Sequence, residues 1–292
     1  MDSFTKDRFH GNPAGVIPDA KGLTEEQMQR IARELNNSET AFIFEADSTD
    51  YDVEVRFFAP TTEVPICSHA TIAAHYVRAK EKNLECGTVV QKTKADLLPV
   101  DVVRDENDYS IIMTQGTPAV SAPVGDTVRN RIADALGIAR EEICREYPVA
   151  IASTGHSKVM VPLYSNELLH GLQPDLQKLT EISKQIECNG YYAFTLNPQK
   201  IILVHGRMFA PAIGIAEDPV TGNANGPLGA YLVHYNILQD ADEPCLDFDI
   251  LQGEAVKRDG TIHVHVEKEH GAPKLVQITG NAVIAFSTEI TI

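Results

Sequence analysis

"RFFAPTTEVPICSHATIAAHYV" (56–77) and "RMFAPAIGIAEDPVTGNANGPLGAYLV" (207–233) are two versions of one pattern. Each opens on Arg-x-Phe-Ala-Pro. With three residues allowed as an insertion, "EVPICSH" (63–69) falls on "EDPVTGN" (217–223), and a segment rich in small and apolar residues follows in both. The similarity extends upstream. "LTEEQMQRIAREL" (23–35) followed by "SETAFIF" (38–44) matches "LQPDLQKLTEISKQI" (172–186) followed by "GYYAFTL" (190–196). In each case apolar residues recur at helical spacing, a short turn intervenes, and an apolar strand follows. This alignment sets Tyr191 opposite Glu39.

The repeat predicts an α+β chain of two pseudo-symmetric halves. Segments 69–81 and about 224–238 carry small and apolar residues nearly all round, the pattern of a helix buried on every side. Strands must then wrap each one as a β-barrel-like sheet around a central helix. Strand candidates are "YDVEVRFFA", "TVVQKTK", "YSIIMTQ", "SKVMVPL", "IHVHVE" and "AVIAFSTEI", with a hairpin turn expected at Asp259-Gly260. Proline, glycine and serine in "GTPAVSAPVGD" (116–126) mark a linker. The expected domains are therefore 1–117, completed by a C-terminal strand within 281–292, and 126–280.

Composition narrows the function classes. The 292 residues carry a formal net charge of −16 and no basic run, which argues against nucleic acid or an anionic membrane as partner. Five scattered cysteines without CxxC spacing argue against a disulfide framework or a structural zinc site and point to the reducing cytoplasm. No segment reaches the roughly 18 apolar residues of a membrane span, and the N-terminal stretch lacks the pattern of an export signal. There is no GxGxxG, Walker A or GxSxG motif, so cofactor-free proton chemistry on a small acid remains, with no metal expected.

Both repeat motifs place a proline and a tight turn before a buried helix. Backbone N–H groups at such an end favour a carboxylate or a developing oxyanion. In the first, Ser68 is the expected N-cap and His69 opens the helix; in the second, Gly222 allows close backbone approach and Asn223 or Asn225 caps. Asp218 precedes Pro219 and is suited to orienting an imidazole or to forming a turn. Glu39 lies between a helix and an apolar strand, where partial burial would raise its pKa toward the range of a general acid or base. Cys67 could be a reactive thiol or a packed core residue, and its counterpart is Thr221, so a two-thiol acid/base pair is missing. His156 and Lys158 open a strand, to bind substrate or to end a loop. His263 and His265 share one strand face, but a metal site there needs ligands that their spacing does not supply.

Taken together, "FHGNPAGV", "ARELNNSETAFIF", "RFFAPTTEVPICSHAT", "TGHSKVM", "EDPVTGNANGPLGAYLVH" and "ITGNAVIAF" resemble the PhzF-like family of phenazine-biosynthesis isomerases nearly end to end. The resemblance implies a diaminopimelate-epimerase-like fold, an active site between two halves and a homodimer. It also implies that the glutamate of "SETAF", Glu39, shuttles the proton, with His69 and Asp218 as polar companions. Ser68 stands where the family usually has glycine, and Asn223 where the phenazine enzymes have serine, which implies a different substrate. The chain starts at "MDSFT", which implies a shortened first strand or a truncated start. Related racemases place catalytic cysteines at the positions of Cys67 and Thr221, and dehydratases of the proline-racemase group combine Cys with Thr. The expected function is a cofactor-independent isomerase of a small carboxylate-bearing metabolite. A Cys67-dependent epimerase, racemase or dehydratase and a non-enzymatic binding protein are the alternatives.

Overall fold

The computed structural model describes residues 1–106, 108–197, 204–238 and 243–291. The chain divides into two compact units, Met1–Thr114 with Thr279–Ile292, and Gln115–Ile278.

The first unit begins with β1 (Asp2–Ser3), β2 (Asn12–Pro13), β3 (Gly15–Ile17) and α1 (Glu25–Leu35). It continues with β4 (Thr40–Glu45), β5 (Val53–Phe58), β6 (Glu63–Val64), α2 (Ser68–Lys82), β7 (Gly87–Lys92), β8 (Leu97–Asp105) and β9 (Asp108–Thr114). Its main strands run in the order β9-β8-β7-β5-β4-β3, with β6 paired to β5. The residues of α2 from Ser68 to Val77 are all buried, because the helix packs against β1, β3, β4, β5, β8 and β9. Apolar side chains on one face of α1, Met28, Ile31 and Ala32, cover Phe42 and Phe58 on the other side of the sheet. A capping box starts α1: Gln27 N–H donates to Thr24 Oγ1 at 3.2 Å, and Thr24 N–H to Gln27 Oε1 at 2.9 Å. Asn36 ends it in the left-handed region and turns the chain toward β4.

The second unit repeats this plan with β10 (Ala119–Pro123), α3 (Asp126–Leu136), β11 (Ala150–Ser153), β12 (Ser157–Pro162), α4 (Asn166–Gly171) and α5 (Leu176–Ile186). Then come β13 (Tyr191–Leu196), β14 (Val204–Ala210), β15 (Ile215–Asp218), α6 (Gly222–His234), β16 (Cys245–Gln252), β17 (Gly260–Glu269) and β18 (Ala272–Gly280). The order is β10-β11-β12-β13-β14-β16-β17-β18, with β15 on β14. These strands wrap α6, which touches β10, β11, β12, β16 and β17. The small residues of α6 have a packing cause: a Cβ on Gly229 would lie 2.8 Å from both Val264 and Val266. The final pair, β19 (Ala282–Val283), returns to β1 in the first unit.

The repeat is visible in the ladder register. Phe57 pairs with Val64 across β5 and β6, and Met208 with Asp218 across β14 and β15, the same relative positions. Arg56 Nε donates to Glu63 at 2.8 Å, and Arg207 Nε to Glu217 at 2.8 Å. Each guanidinium also lies over the phenylalanine two residues on, Phe58 at 5.2 Å and Phe209 at 5.0 Å. The register corrects the sequence alignment by one residue. Thr40 pairs with Phe58 as Tyr191 pairs with Phe209, and the carbonyls of Glu39 and Gly190 accept from Gly15 and Val159 respectively. The counterpart of Glu39 is therefore Gly190, not Tyr191.

Three further expectations change. Residues 116–126 are not only a connection, since Ala119–Pro123 form an edge strand; proline is tolerated there because an edge lacks ladder partners on one side. The expected turn at Asp259-Gly260 is a longer connection from Gln252 to Gly260, and the two-residue turn is at His270-Gly271, whose φ values are 53° and 79°. The strand expected over 282–290 is only Ala282–Val283, and beyond it Phe286 is 71% exposed. The first strand is short, Asp2–Ser3, as the resemblance implied.

Candidate active site

In the first unit, the αL cap at Asn36 and the start of β4 at Thr40 fix the short segment that carries Ser38 and Glu39. The start of α2 supplies Cys67, Ser68 and His69, all buried. Glu39 Oε2 lies 3.4 Å from His69 Nε2, with the glutamate side chain 18% exposed and the imidazole 9%. Ser38 Oγ is 3.1 Å from the same nitrogen. Cys67 Sγ is 3.4 Å from the other ring nitrogen, Nδ1. The His69 carbonyl accepts from Ser3 Oγ at 2.7 Å, which ties the helix start to β1. The imidazole thus has a carboxylate and a hydroxyl on one edge and a thiol on the other. A carboxylate that is mostly screened from water and beside an imidazole can take a proton and be steadied in either charge state.

Cys67, not Ser68, is the N-cap of α2; Ser68 is the first helical residue. In the second unit the N-cap of α6 is Thr221, and Asn223 and Asn225 lie inside the helix. The two caps are equivalent in structure. Both have extended backbones and neither caps its helix through its side chain. In both, a side chain four residues on reaches back to the cap carbonyl, Thr71 Oγ1 to Cys67 at 2.8 Å and Asn225 Nδ2 to Thr221 at 3.0 Å.

Asp218 closes β15, and its carboxylate accepts from the Thr221 hydroxyl. Gln252, at the end of β16, donates to the Asp218 carbonyl at 2.9 Å and accepts from Thr221 N–H at 3.2 Å and Asn225 Nδ2 at 2.9 Å. The Tyr192 hydroxyl donates to Asn225 Oδ1. Burial pushes the Tyr192 phenol far above its ordinary value, so it stays a donor. Lys158, 3% exposed, is held below the ordinary lysine value by burial, with nearby Cys188 and Asp218 opposing. His156 beside it is exposed. The structure thus gathers Glu39, Cys67, Ser68 and His69 in one unit, and Asp218, Thr221, Gly222 and Asn223 in the other.

Sequence reasoning missed Ser38, Tyr192 and Gln252. Ser38 had a signal, being adjacent to Glu39. Gln252 had a weaker one, a polar residue ending an otherwise alternating strand before Gly253.

Three side-chain clusters among the described residues have donor atoms suited to a metal ion: Glu39, Cys67 and His69; His170, His205 and Glu254; and Cys245, Asp247 and His265. Within each, the donor atoms all lie within 4.8 Å of one another.

The phenazine biosynthesis-like family (PhzC-PhzF) matches residues 1–288. The chain belongs to the PhzF family. It is 54% identical over 293 residues to an uncharacterized isomerase of Clostridium acetobutylicum, covering 100% of this chain and 97% of that one. To the uncharacterized isomerase YddE of Escherichia coli strain K12 it is 49% identical over 289 residues, covering 99% and 96%. The crystal structure of a PhzF-family phenazine biosynthesis protein of Bacillus anthracis superposes with a TM-score of 0.89 at 31% identity, covering 100% and 97%. The chain is an isomerase of this family, with the family's two-unit, helix-in-sheet fold.

Proposed function

We propose that this isomerase moves a proton on a small carboxylate-bearing metabolite without a cofactor, with Glu39 as the acid/base. The observation that carries the reading is the pairing of the largely buried Glu39 carboxylate with the His69 imidazole at 3.4 Å. Glu39 takes a proton from a carbon made acidic by an adjacent carbonyl or carboxylate, then returns it to a different carbon. No redox change and no group transfer are needed. His69 steadies the carboxylate as its charge changes, and Ser38 and Cys67 hold the imidazole from its two edges. The same reading gives substrate contacts to Ser68 in the first unit and to Asp218, Thr221, Gly222 and Asn223 in the second. Membership of an isomerase family supports it.

The test is a library of small carboxylic acids incubated in D₂O with wild type and with Glu39→Gln, read by mass spectrometry. Deuterium wash-in or mass-neutral rearrangement by wild type that vanishes in Glu39→Gln is the expected result. Wash-in that survives the substitution removes Glu39 as the base.

One observation favours a second reading. Cys67 Sγ lies 3.4 Å from His69 Nδ1, close enough for the imidazole to take the thiol proton and leave a nucleophilic or basic thiolate. Cys67 would then serve an epimerase or dehydratase of a small amino or hydroxy acid, with Thr221 in place of a second thiol. Cys67→Ser separates the two, since it abolishes turnover only in the second.

A further inference from the structure

The histidine pair on β17 lacked metal partners in the sequence, and the fold supplies them. β16 and β17 form an antiparallel ladder in which Cys245 faces Glu267, Asp247 faces His265 and Asp249 faces His263. Side chains alternate along a strand, so this row shares one face. The intervening residues Phe248, Ile250, Ile262 and Val264 are buried on the other. Three potential ligands thus come from each of two strands held in fixed register.

Their donor atoms converge. His265 Nδ1 is 2.7 Å and His263 Nε2 3.3 Å from a single atom, Asp247 Oδ1. His263 Nδ1 is 2.9 Å from Asp249 Oδ1. The donor atoms of Cys245, Asp247 and His265 all lie within 4.8 Å of one another. An ordinary solvated strand face accounts for charged pairs across a ladder. It does not account for two imidazole nitrogens on one carboxylate oxygen with a thiol within 4.8 Å.

We propose that Cys245, Asp247, His263 and His265 form a binding site for a divalent cation of the zinc class on the open face of the β16–β17 hairpin. Sulfur, imidazole nitrogen and carboxylate oxygen are the ligands zinc favours, and four of them suit its tetrahedral geometry. On binding, the Cys245 thiol loses its proton to solvent as the S–Zn bond forms, and both histidines bind as neutral imidazoles. Asp249 is placed to accept from the Nδ1–H of His263 and so to orient that ring, as partners outside the ligand shell do in zinc sites. The cation would clamp β16 to β17 on the strand that ends in Gln252, the residue that holds Asp218 and Thr221.

The test uses the full chain, stripped with a chelator, and Co²⁺ as a spectroscopic probe, because a Co–thiolate bond gives a near-ultraviolet charge-transfer band. The expected result is a band that saturates at one Co²⁺ per chain, is lost in Cys245→Ser and persists in Cys67→Ser. Zn²⁺ should displace Co²⁺, and His265→Gln should bind Zn²⁺ at least about tenfold more weakly in competition with a chromophoric chelator. Far-ultraviolet circular dichroism confirms that each variant folds. Absence of a thiolate band, a band that survives Cys245→Ser, or unchanged Zn²⁺ affinity in His265→Gln overturns the site.

Discussion

Glu39 Oε2 lies 3.4 Å from Nε2 of His69. The pair joins the segment before β4 to the first turn of α2, two elements separated by most of the first repeat. If this carboxylate transfers the proton, Glu39→Gln keeps the shape but removes the base. Turnover should fall on the order of 10²- to 10⁴-fold, the usual worth of general acid–base catalysis, with far less change in KM. Cys67→Ser should leave kcat within about tenfold of wild type under the same reading. Steady-state kinetics on the substrate found by deuterium exchange provides both numbers.

Glu39, Cys67 and His69 also offer a carboxylate, a thiol and an imidazole within 4.8 Å. Proton transfer without a cofactor predicts that dialysis against a chelator leaves turnover unchanged. Loss of activity on chelation, restored by a metal, would contradict the cofactor-free reading.

The two repeat arginines should differ in worth. Arg207 makes a bidentate pair with Glu217 at 2.8 Å and donates to the carbonyls of Leu169 and Leu172 at 3.0 Å, with its side chain only 8% exposed. Arg207→Met strands a shielded carboxylate and is expected to cost about 3–5 kcal/mol. Arg56 is 23% exposed, and its partner Glu63 keeps a second cation, Lys94, at 2.8 Å. Arg56→Met should cost about 1 kcal/mol or less. Urea denaturation of both variants checks the difference.

Gln252 is the hub of the polar network under α6. Gln252→Leu would leave the Thr221 N–H and the Asp218 carbonyl without this partner, an expected loss of about 1–3 kcal/mol. If Asp218 or Thr221 touches substrate, KM should rise in a variant that remains folded. Thermal denaturation together with kinetics separates the two effects.

His75, on α2, is buried and donates its Nε2–H to Gln91 Oε1 at 2.7 Å. Burial lowers its pKa from 6.5 to about 4, so the folded state resists a proton that the unfolded chain takes up. The stability this contributes is complete above about pH 6.5, falls as pH drops toward about 4, and levels off below. The full loss is on the order of 3 kcal/mol. The difference in unfolding free energy between wild type and His75→Gln, measured across that window, should carry this slope.

The central helices and the paired motifs were legible in the sequence because burial on every side and tight helix entries leave local marks: small residues, proline and glycine. The choice of Glu39, His69 and Asp218 as a site rested on the family resemblance, since pattern alone left Glu39 a charged residue at a helix–strand junction. The one-residue shift that sets Gly190 opposite Glu39 was not legible, since "ETAF" and "YYAF" align equally well by composition and only the ladder register separates them. Nor was the N-cap. Ser68 is the better capping residue by type, yet Cys67 occupies the position because the β6-to-α2 turn fixes where the helix begins.

The sequence by itself determined which faces are apolar, and with them the two helix-in-sheet units. Only the tertiary structure decided which polar groups meet. Side-chain periodicity sorts residues onto faces within one element, but carries no information on which residue of another element lies opposite. Ser38 beside His69, Gln252 beneath Thr221, and Asp247 between His263 and His265 are all products of strand register and helix seating, which arise from packing the whole chain.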